Sequence, residues 1–187
     1  MVIRQKWHTV KTVMPKSKKR MKIIEQKIEG KVSQELCEDG IAGNDAFIAV
    51  VDGSTSKTKM RINPNMTNGK FCMTEVCEFI KDMRKDINVE DFCNEITARI
   101  NGIYKAYGMN MTMLKNEPVM RMTSSVVVYS KRRREIWMVG DCQCMINGVL
   151  HENTKPCEKL VAEKRAAIIS KALDKGATVA QIQADDI

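Results

Sequence analysis

Residues 44–58, NDAFIAVVDGSTSKT, contain the stretch that decides the fold. Ala46–Val51 is a continuous apolar run rich in β-branched and aromatic side chains, and such a run is typical of a strand that is buried on both faces of a sheet. The run ends at Asp52-Gly53, where a glycine lets the backbone turn sharply. A carboxylate at this place can hold a metal or a phosphate, although Asp, Gly and Ser are also common in ordinary polar turns.

The net charge of +8 lies in the first part of the chain. Residues 1–22 hold eight basic side chains and no acidic one, whereas the rest of the 187-residue chain balances 23 basic against 23 acidic side chains. We therefore predict a basic, poorly ordered extension over residues 1–20 and a single domain over residues 21–187. A solvated extension of this kind is not expected to bind nucleic acid.

The seven cysteines are scattered, and the sequence has neither a secretory leader pattern nor an apolar run long enough to cross a bilayer. This pattern predicts reduced thiols in a cytoplasmic protein that makes no membrane contact. Cys142-Gln143-Cys144 is a single CxC pair, and His8 and His151 are not spaced as ligands with it. Because zinc sites usually need four ligands, we interpret both cysteines as structural thiols.

Periodicity predicts the remaining elements. Apolar side chains at helical spacing indicate a helix with a stripe from Val76 to Ile87, and a second helix that is capped by Asn88 and stopped by Gly108. A third helix is expected from residue 154 or 155 to Gly176, followed by a short helical piece. The predicted strands and loops are a strand at Lys22–Glu29, a polar loop at 33–43, an irregular connection at 54–72, a loop at Met109–Met122, and strands at Thr123–Ser130, Glu135–Val139 and Cys142–Ile146, the last followed by an Asn147-Gly148 turn.

Residues 51–58 share some features with two other phosphate-binding patterns. A P-loop requires glycine where Val51 and Ser56 stand, so that pattern does not fit. DGSTSK also resembles the phosphate-binding turn of the sugar-kinase and actin-like ATPase superfamily, although its spacing is short by one residue and a long loop follows. That alternative stays open. The Lys131–Arg134 cluster is predicted to be a solvated turn.

Three features together resemble the metal-dependent protein phosphatases of the 2C type. Cys37-Glu38-Asp39 is similar to the acidic pair before the first core strand of that family, and Phe47–Gly53 is similar to its strand that ends in Asp-Gly. The third feature is the segment from Ser124 to Cys142, which is similar to the family's strand meander carrying Gly-Asp-Ser. The resemblance covers roughly residues 22–150.

The resemblance implies an α+β fold, an α-β-β-α sandwich of two mainly antiparallel sheets flanked by helices. It also implies hydrolysis of phosphoserine or phosphothreonine in phosphoprotein substrates with Mg²⁺ or Mn²⁺. Asp52 and Glu38 would be the catalytic residues. The metal ligands would be Asp52, the Gly53 carbonyl, Glu38 and Asp141.

The chain also departs from the family pattern. Ser54-Thr55-Ser56 replaces a glycine-rich continuation, and Cys142 stands in place of a serine. The later aspartates of the family have no counterpart after Leu150. We therefore expect an incomplete sandwich, truncated at its C-terminal side, and keep a non-catalytic phosphatase-like binding or regulatory module as the alternative.

Overall fold

The computed structural model describes residues 7–11, 22–30, 33–153 and 156–184. The chain divides into two compact units, residues 1–153 and residues 154–187. The prediction of a single domain over residues 21–187 therefore stays a prediction. Within the described ranges, every helix is too short or too polar to cross a bilayer.

An antiparallel sheet of five strands forms the centre of the first unit, in the order β1-β5-β4-β3-β2. Its strands are β1 (Trp7–Lys11), β2 (Asp39–Gly43), β3 (Phe47–Gly53), β4 (Ser124–Ser130) and β5 (Glu135–Val139). Two further strands, β6 (Gln143–Ile146) and β7 (Val149–Glu152), form a separate two-stranded sheet. The α+β class is confirmed, whereas the incomplete α-β-β-α sandwich stays a prediction.

Strand β1 lies inside the segment that was predicted to be a poorly ordered extension. Trp7–Lys11 pairs antiparallel with β5, with Thr9 opposite Trp137. The pentapeptide WHTVK contains Trp, Thr and Val, which favour strands, and its pairing with β5 extends the sheet by one strand. The expectation of disorder therefore does not hold for residues 7–11, and the rest of residues 1–20 lies outside the described part.

Strand β3 is buried on one face, so the prediction of burial on both faces was wrong. Phe47, Ala49 and Val51 are at most 2% exposed, whereas Val50 between them is 56% exposed. Side chains alternate along a strand, and helices cover one face of this sheet, which we call the inner face. The opposite, outer face carries Val50 and Asp52.

Two helices pack on the inner face, α1 (Asn68–Asp82) and α2 (Val89–Ala106). The predicted cap of α2 is confirmed, because the Asn88 side chain accepts a hydrogen bond from the Asp91 amide. Helix α1 begins earlier than predicted, within the expected irregular connection, because Thr67 caps it. It ends at Asp82, so Ile87 of the predicted stripe is buried in the link between the helices.

Two predictions for residues 22–43 were wrong. Residues 22–29 form no strand and are exposed, while the predicted loop at 33–43 contains strand β2. Strand β2 pairs with β3 from Asp39 opposite Asp52 to Gly43 opposite Ile48. Ile23 and residues 25–29 line a cavity of about 410 Å³ with Ile41, Ile48 and Val50 on the outer face.

The structure from β4 to β7 agrees with the predictions more closely than residues 22–43 do. Strands β4 and β5 agree with the prediction, and Asn147 (φ 51°) and Gly148 (φ 80°) form the expected tight turn between β6 and β7. The predicted methionine-rich loop instead holds α3 (Met111–Asn116) and a 3₁₀ turn (Pro118–Met120), because Asn110 caps this short helix.

One arginine of the basic β4–β5 turn has a structural contact that the solvated-turn prediction did not include. The Arg133 guanidinium donates to the carbonyl oxygens of Ile87 (2.9 Å) and Asp86 (2.8 Å). These hydrogen bonds tie the turn to the link between α1 and α2. Arg133 therefore satisfies backbone carbonyls near the start of α2 as well as meeting solvent.

In the second unit, the residues that the structure describes form two helices, α4 (Pro156–Asp174) and α5 (Val179–Ala184). Gly176 adopts φ 87° after α4, in agreement with the predicted stop. The Gln181 side chain accepts a hydrogen bond from the Thr178 amide, and the Gln181 amide donates to the Thr178 hydroxyl. These reciprocal bonds form a capping box at the start of α5.

We predict a large stability loss at Asn44, which joins the β2–β3 turn to the end of α1. Its Oδ1 accepts from the amides of Ala46 (2.9 Å) and Phe47 (3.1 Å), and its Nδ2 donates to the carbonyls of Ile80 (3.1 Å) and Met83 (3.1 Å). Asn44→Ala leaves these groups unpaired, so we expect urea titrations to show about 2–3 kcal/mol less unfolding free energy.

Two further variants sharpen this experiment. Asn44→Asp keeps both acceptor contacts but loses the donors and places a negative charge at the C-terminal end of α1, so it should not restore stability. Asn94→Ala, on the exposed side of α2, is the control and should stay within about 0.5 kcal/mol of wild type. An Asn44→Ala variant as stable as this control would contradict the prediction.

Candidate metal centre

Asp52 lies at the end of β3, in a row of polar residues across three strands. It stands opposite Asp39 of β2 and opposite Ser125 of β4. Residues that are directly opposite on neighbouring strands point to the same face, with Cβ atoms about 4.5–5.5 Å apart. Asp39, Asp52 and Ser125 therefore share the outer face at one end of the sheet.

Asp141 joins this row through Ser125. The Ser125 hydroxyl donates to Asp141 Oδ1 (2.5 Å), and the Asp141 amide donates to Ser125 Oγ (3.3 Å). Gly140 makes this approach possible, because it adopts φ 88° and a Cβ there would lie 2.3 Å from Ser125 Oγ. We call Asp39, Asp52, Ser125 and Asp141 the acidic row.

Glu38 points away from the acidic row, toward the start of α1. The hydroxyls of Thr55 (2.7 Å to Oε2) and Thr67 donate to its carboxylate. Since Thr67 is the N-cap of α1, the Glu38 carboxylate lies at the positive end of the helix dipole. Glu38 precedes Asp39 and therefore takes the opposite side of the chain, next to α1 rather than beside Asp52.

Gly53 connects these two regions. Its amide donates to the Glu38 carbonyl (3.0 Å), and a Cβ on Gly53 would lie 2.3 Å from the Gly69 carbonyl oxygen in α1. The glycine thus permits close contact between the end of β3 and the first turn of α1. Its predicted role as a carbonyl ligand stays a prediction.

Of the four predicted ligands, the structure brings Asp52 and Asp141 to the same end of the sheet and separates their side chains from that of Glu38. It adds Asp39, which belongs to the acidic motif Cys37-Glu38-Asp39 but is not one of the predicted ligands. Strand alternation could have indicated this, because Glu38 and Asp39 are consecutive and only one of them can share the face of Asp52.

The donor chemistry of the acidic row fits a hard cation. Carboxylate oxygens are the ligands that Mg²⁺ and Mn²⁺ prefer, and Mg²⁺ commonly keeps several waters while one or two carboxylates hold it. Asp39 and Asp52 provide such a pair. Within the described residues, no three side chains of His, Cys, Asp or Glu are close enough together to form a preassembled metal cluster.

The cysteines whose side chains are described are free thiols, and burial makes several of them unreactive. Burial raises the pKa of Cys72 to about 11 and the pKa of Cys93 to about 11. Burial likewise raises the pKa values of Cys142 and Cys144. Because the thiolate is the reactive form, thiols with a pKa of about 11, such as Cys72 and Cys93, react slowly at neutral pH.

Comparisons with known proteins give one structural similarity. No protein-family model matches the chain, and no curated protein matches it. Among solved structures, the crystal structure of the Mycobacterium tuberculosis serine/threonine phosphatase PstP/Ppp matches with a TM-score of 0.37 and 15% sequence identity. The match covers 87% of this chain and 59% of that one. At this TM-score the similarity carries no argument about fold or function.

Proposed function

We propose that the first unit is a phosphatase-2C-like domain that binds Mg²⁺ or Mn²⁺ at the acidic row and hydrolyses phosphoserine or phosphothreonine in proteins. The observation that supports it is the register of β2, β3 and β4, which aligns Asp39, Asp52 and Ser125 on one face. The hydrogen bond from Ser125 to Asp141 adds a third carboxylate to that end of the sheet.

The residues of the row have distinct roles in this proposal. Asp52, at the centre, and Asp39 beside it bind the cation, and Asp141 adds a ligand whose orientation Ser125 fixes. A bound divalent cation supplies charge neutralisation for the phosphoryl oxygens and a more acidic water. A carboxylate of the row that is not bound to the cation can accept the proton of the attacking water.

Glu38 and Gly53 support the row from its other side. The two threonine hydroxyls hold Glu38 at the start of α1, and the Gly53 amide bonds to the Glu38 carbonyl. We therefore propose that Glu38 acts as a positioning residue for the end of β3, and we keep the Gly53 carbonyl as a proposed ligand. This differs from the catalytic role that the family resemblance implies for Glu38.

We expect calorimetric titration of Mn²⁺ into the wild-type chain to show binding that Asp52→Asn weakens at least about tenfold. The amide removes the charge but keeps the shape, so the loss reports on the ligand itself. Asp45→Asn is the matched control, because Asp45 is exposed and lies in the β2–β3 turn. Equal Mn²⁺ affinity in Asp52→Asn and Asp45→Asn would refute the assignment of the site.

A second pair of variants tests whether Asp39, which the strand register favours, or Glu38, which the family resemblance implies, is the metal ligand. Asp39→Asn should weaken Mn²⁺ binding, whereas Glu38→Gln should leave it within about threefold of wild type. The glutamine side chain has one oxygen acceptor instead of two for the threonine hydroxyls, but the change removes no metal ligand. The reverse order of effects would return Glu38 to the ligand set and exclude Asp39.

A non-catalytic binding module is the second candidate. It is favoured by the absence of a preassembled group of three carboxylates in the described part of the chain. Hydrolysis of a phosphothreonine peptide, measured with saturating Mn²⁺, distinguishes the two. Turnover that is lost in Asp52→Asn supports the phosphatase, whereas Mn²⁺ binding without turnover supports the module.

A further inference from the structure

The β6–β7 hairpin brings together three side chains that bind soft metals. Cys144 Sγ lies 3.6 Å from Met138 Sδ at the end of β5. Cys144 also stands directly opposite His151 of β7. Because directly opposite residues share one face of a hairpin, the imidazole is on the same side as the two sulfur atoms.

Hydrogen bonds at the base of the hairpin and across it fix the backbone that carries Cys144 and His151. The Asn153 side chain donates to the Gly140 carbonyl (2.6 Å), and the Asn153 amide donates to the Cys142 carbonyl (3.3 Å). The Gln143 side chain donates to Glu152 across the strands (2.6 Å). Ligands that are fixed before binding lose less conformational freedom when a metal binds.

We propose that Cys144, Met138 and His151 form a three-ligand site for monovalent copper. Thiolate and thioether ligands select Cu(I), and imidazole also suits copper. With metal–sulfur bonds of roughly 2.3 Å, the length found in zinc–thiolate sites, one ion can bridge sulfur atoms 3.6 Å apart at an angle of about 100°. The thiol proton passes to solvent as the metal binds, and no electron is transferred.

The proposed copper site is distinct from the Cys142–Cys144 pair and from the acidic row. Cys142 Sγ contacts the carbonyls of Val126 (3.5 Å) and Val139 (3.6 Å), so it points into the sheet and is not a ligand. The second sulfur comes from a methionine, a residue type outside the usual zinc ligands. The carboxylates of the acidic row take hard cations, so the two sites do not compete for one metal.

The test is an anaerobic titration in which the purified full chain competes for Cu(I) with a chromophoric Cu(I) chelator. We expect wild type to withdraw one equivalent, and Met138→Leu to lower the affinity at least about tenfold while nearly conserving core volume. The matched control is Met73→Leu, which removes the thioether 3.8 Å from the Cys77 thiol and should leave the affinity unchanged.

A second measurement identifies the ligands. X-ray absorption of the Cu(I) complex should show two sulfur atoms and one nitrogen, and His151→Gln should remove the nitrogen. His151 lies in the partly exposed hairpin, so this variant tests the site even if Met138→Leu fails to fold. A wild-type chain that does not compete, equal affinities for both methionine variants, or a complex with sulfur ligands alone would each overturn the proposal.

Discussion

The Gly53→Ala variant is expected to lose about 3 kcal/mol of unfolding free energy, which corresponds to a decrease of roughly 6–12 °C in Tm. The added Cβ would lie 2.3 Å from the Gly69 carbonyl oxygen and 2.8 Å from the Glu38 carbonyl oxygen. Both obstacles are backbone atoms, so no side-chain rotation can relieve the overlap. The first turn of α1 must move away from β3, and the contact between them is lost.

Gly102→Ala is the matched control for this experiment. Gly102 is exposed within α2, and a Cβ there meets no other atom within 4 Å. Alanine favours helix more than glycine does, so this variant should gain up to about 1 kcal/mol. Thermal unfolding followed by circular dichroism measures both changes. Opposite signs are expected, and a Gly53→Ala chain that melts with wild type would show that α1 does not need this close approach.

The sequence predicted best those features that neighbouring residues determine. The Asn88 cap needs only the amide of Asp91 three residues later, and the Asn147-Gly148 turn needs only two residues that tolerate positive φ. Strands β4 and β5 were also predicted correctly, because a run of β-branched residues and a short turn between the strands define them locally.

Strand β2 shows why other elements were missed. Its sequence, DGIAG, is composed mostly of small residues that have low strand propensity, so it was predicted as a loop. It becomes a strand because β3 offers an edge and because its small side chains allow α1 to pack closely. Lys22–Glu29 had the better local pattern but has no such partner strand in the described structure.

The candidate site depends on register, which a single sequence does not contain. Asp52 could be identified from its place after an apolar run, but its neighbours come from β2 and β4, distant in the chain. Family resemblance selected Glu38, one residue away from the position that pairs with Asp52. A shift of one residue moves a side chain to the other face, so the motif resemblance, which names Glu38, and the strand register, which favours Asp39, point to different faces.

Trp137→Ala is expected to cost about 3–5 kcal/mol of unfolding free energy, the range typical of removing a buried aromatic side chain. Trp137 is 0% exposed, and its ring centroid lies 5.6 Å from that of Phe47 and 5.8 Å from that of Phe92. It thereby links strand β3 to helix α2 through one side chain. Deleting it opens a cavity between the sheet and the helix.

Trp137→Phe separates packing from hydrogen bonding at this position. A phenyl ring keeps contact with Phe47 and Phe92 but loses the indole N–H that donates to Glu135 Oε2 (3.1 Å). Glu135 is partly exposed and can bond to water instead, so the cost should be only about 1–2 kcal/mol. Urea titrations followed by circular dichroism compare the two. If Trp137→Phe cost as much as Trp137→Ala, the hydrogen bond to Glu135 rather than the packing against Phe47 and Phe92 would account for the stability that Trp137 contributes.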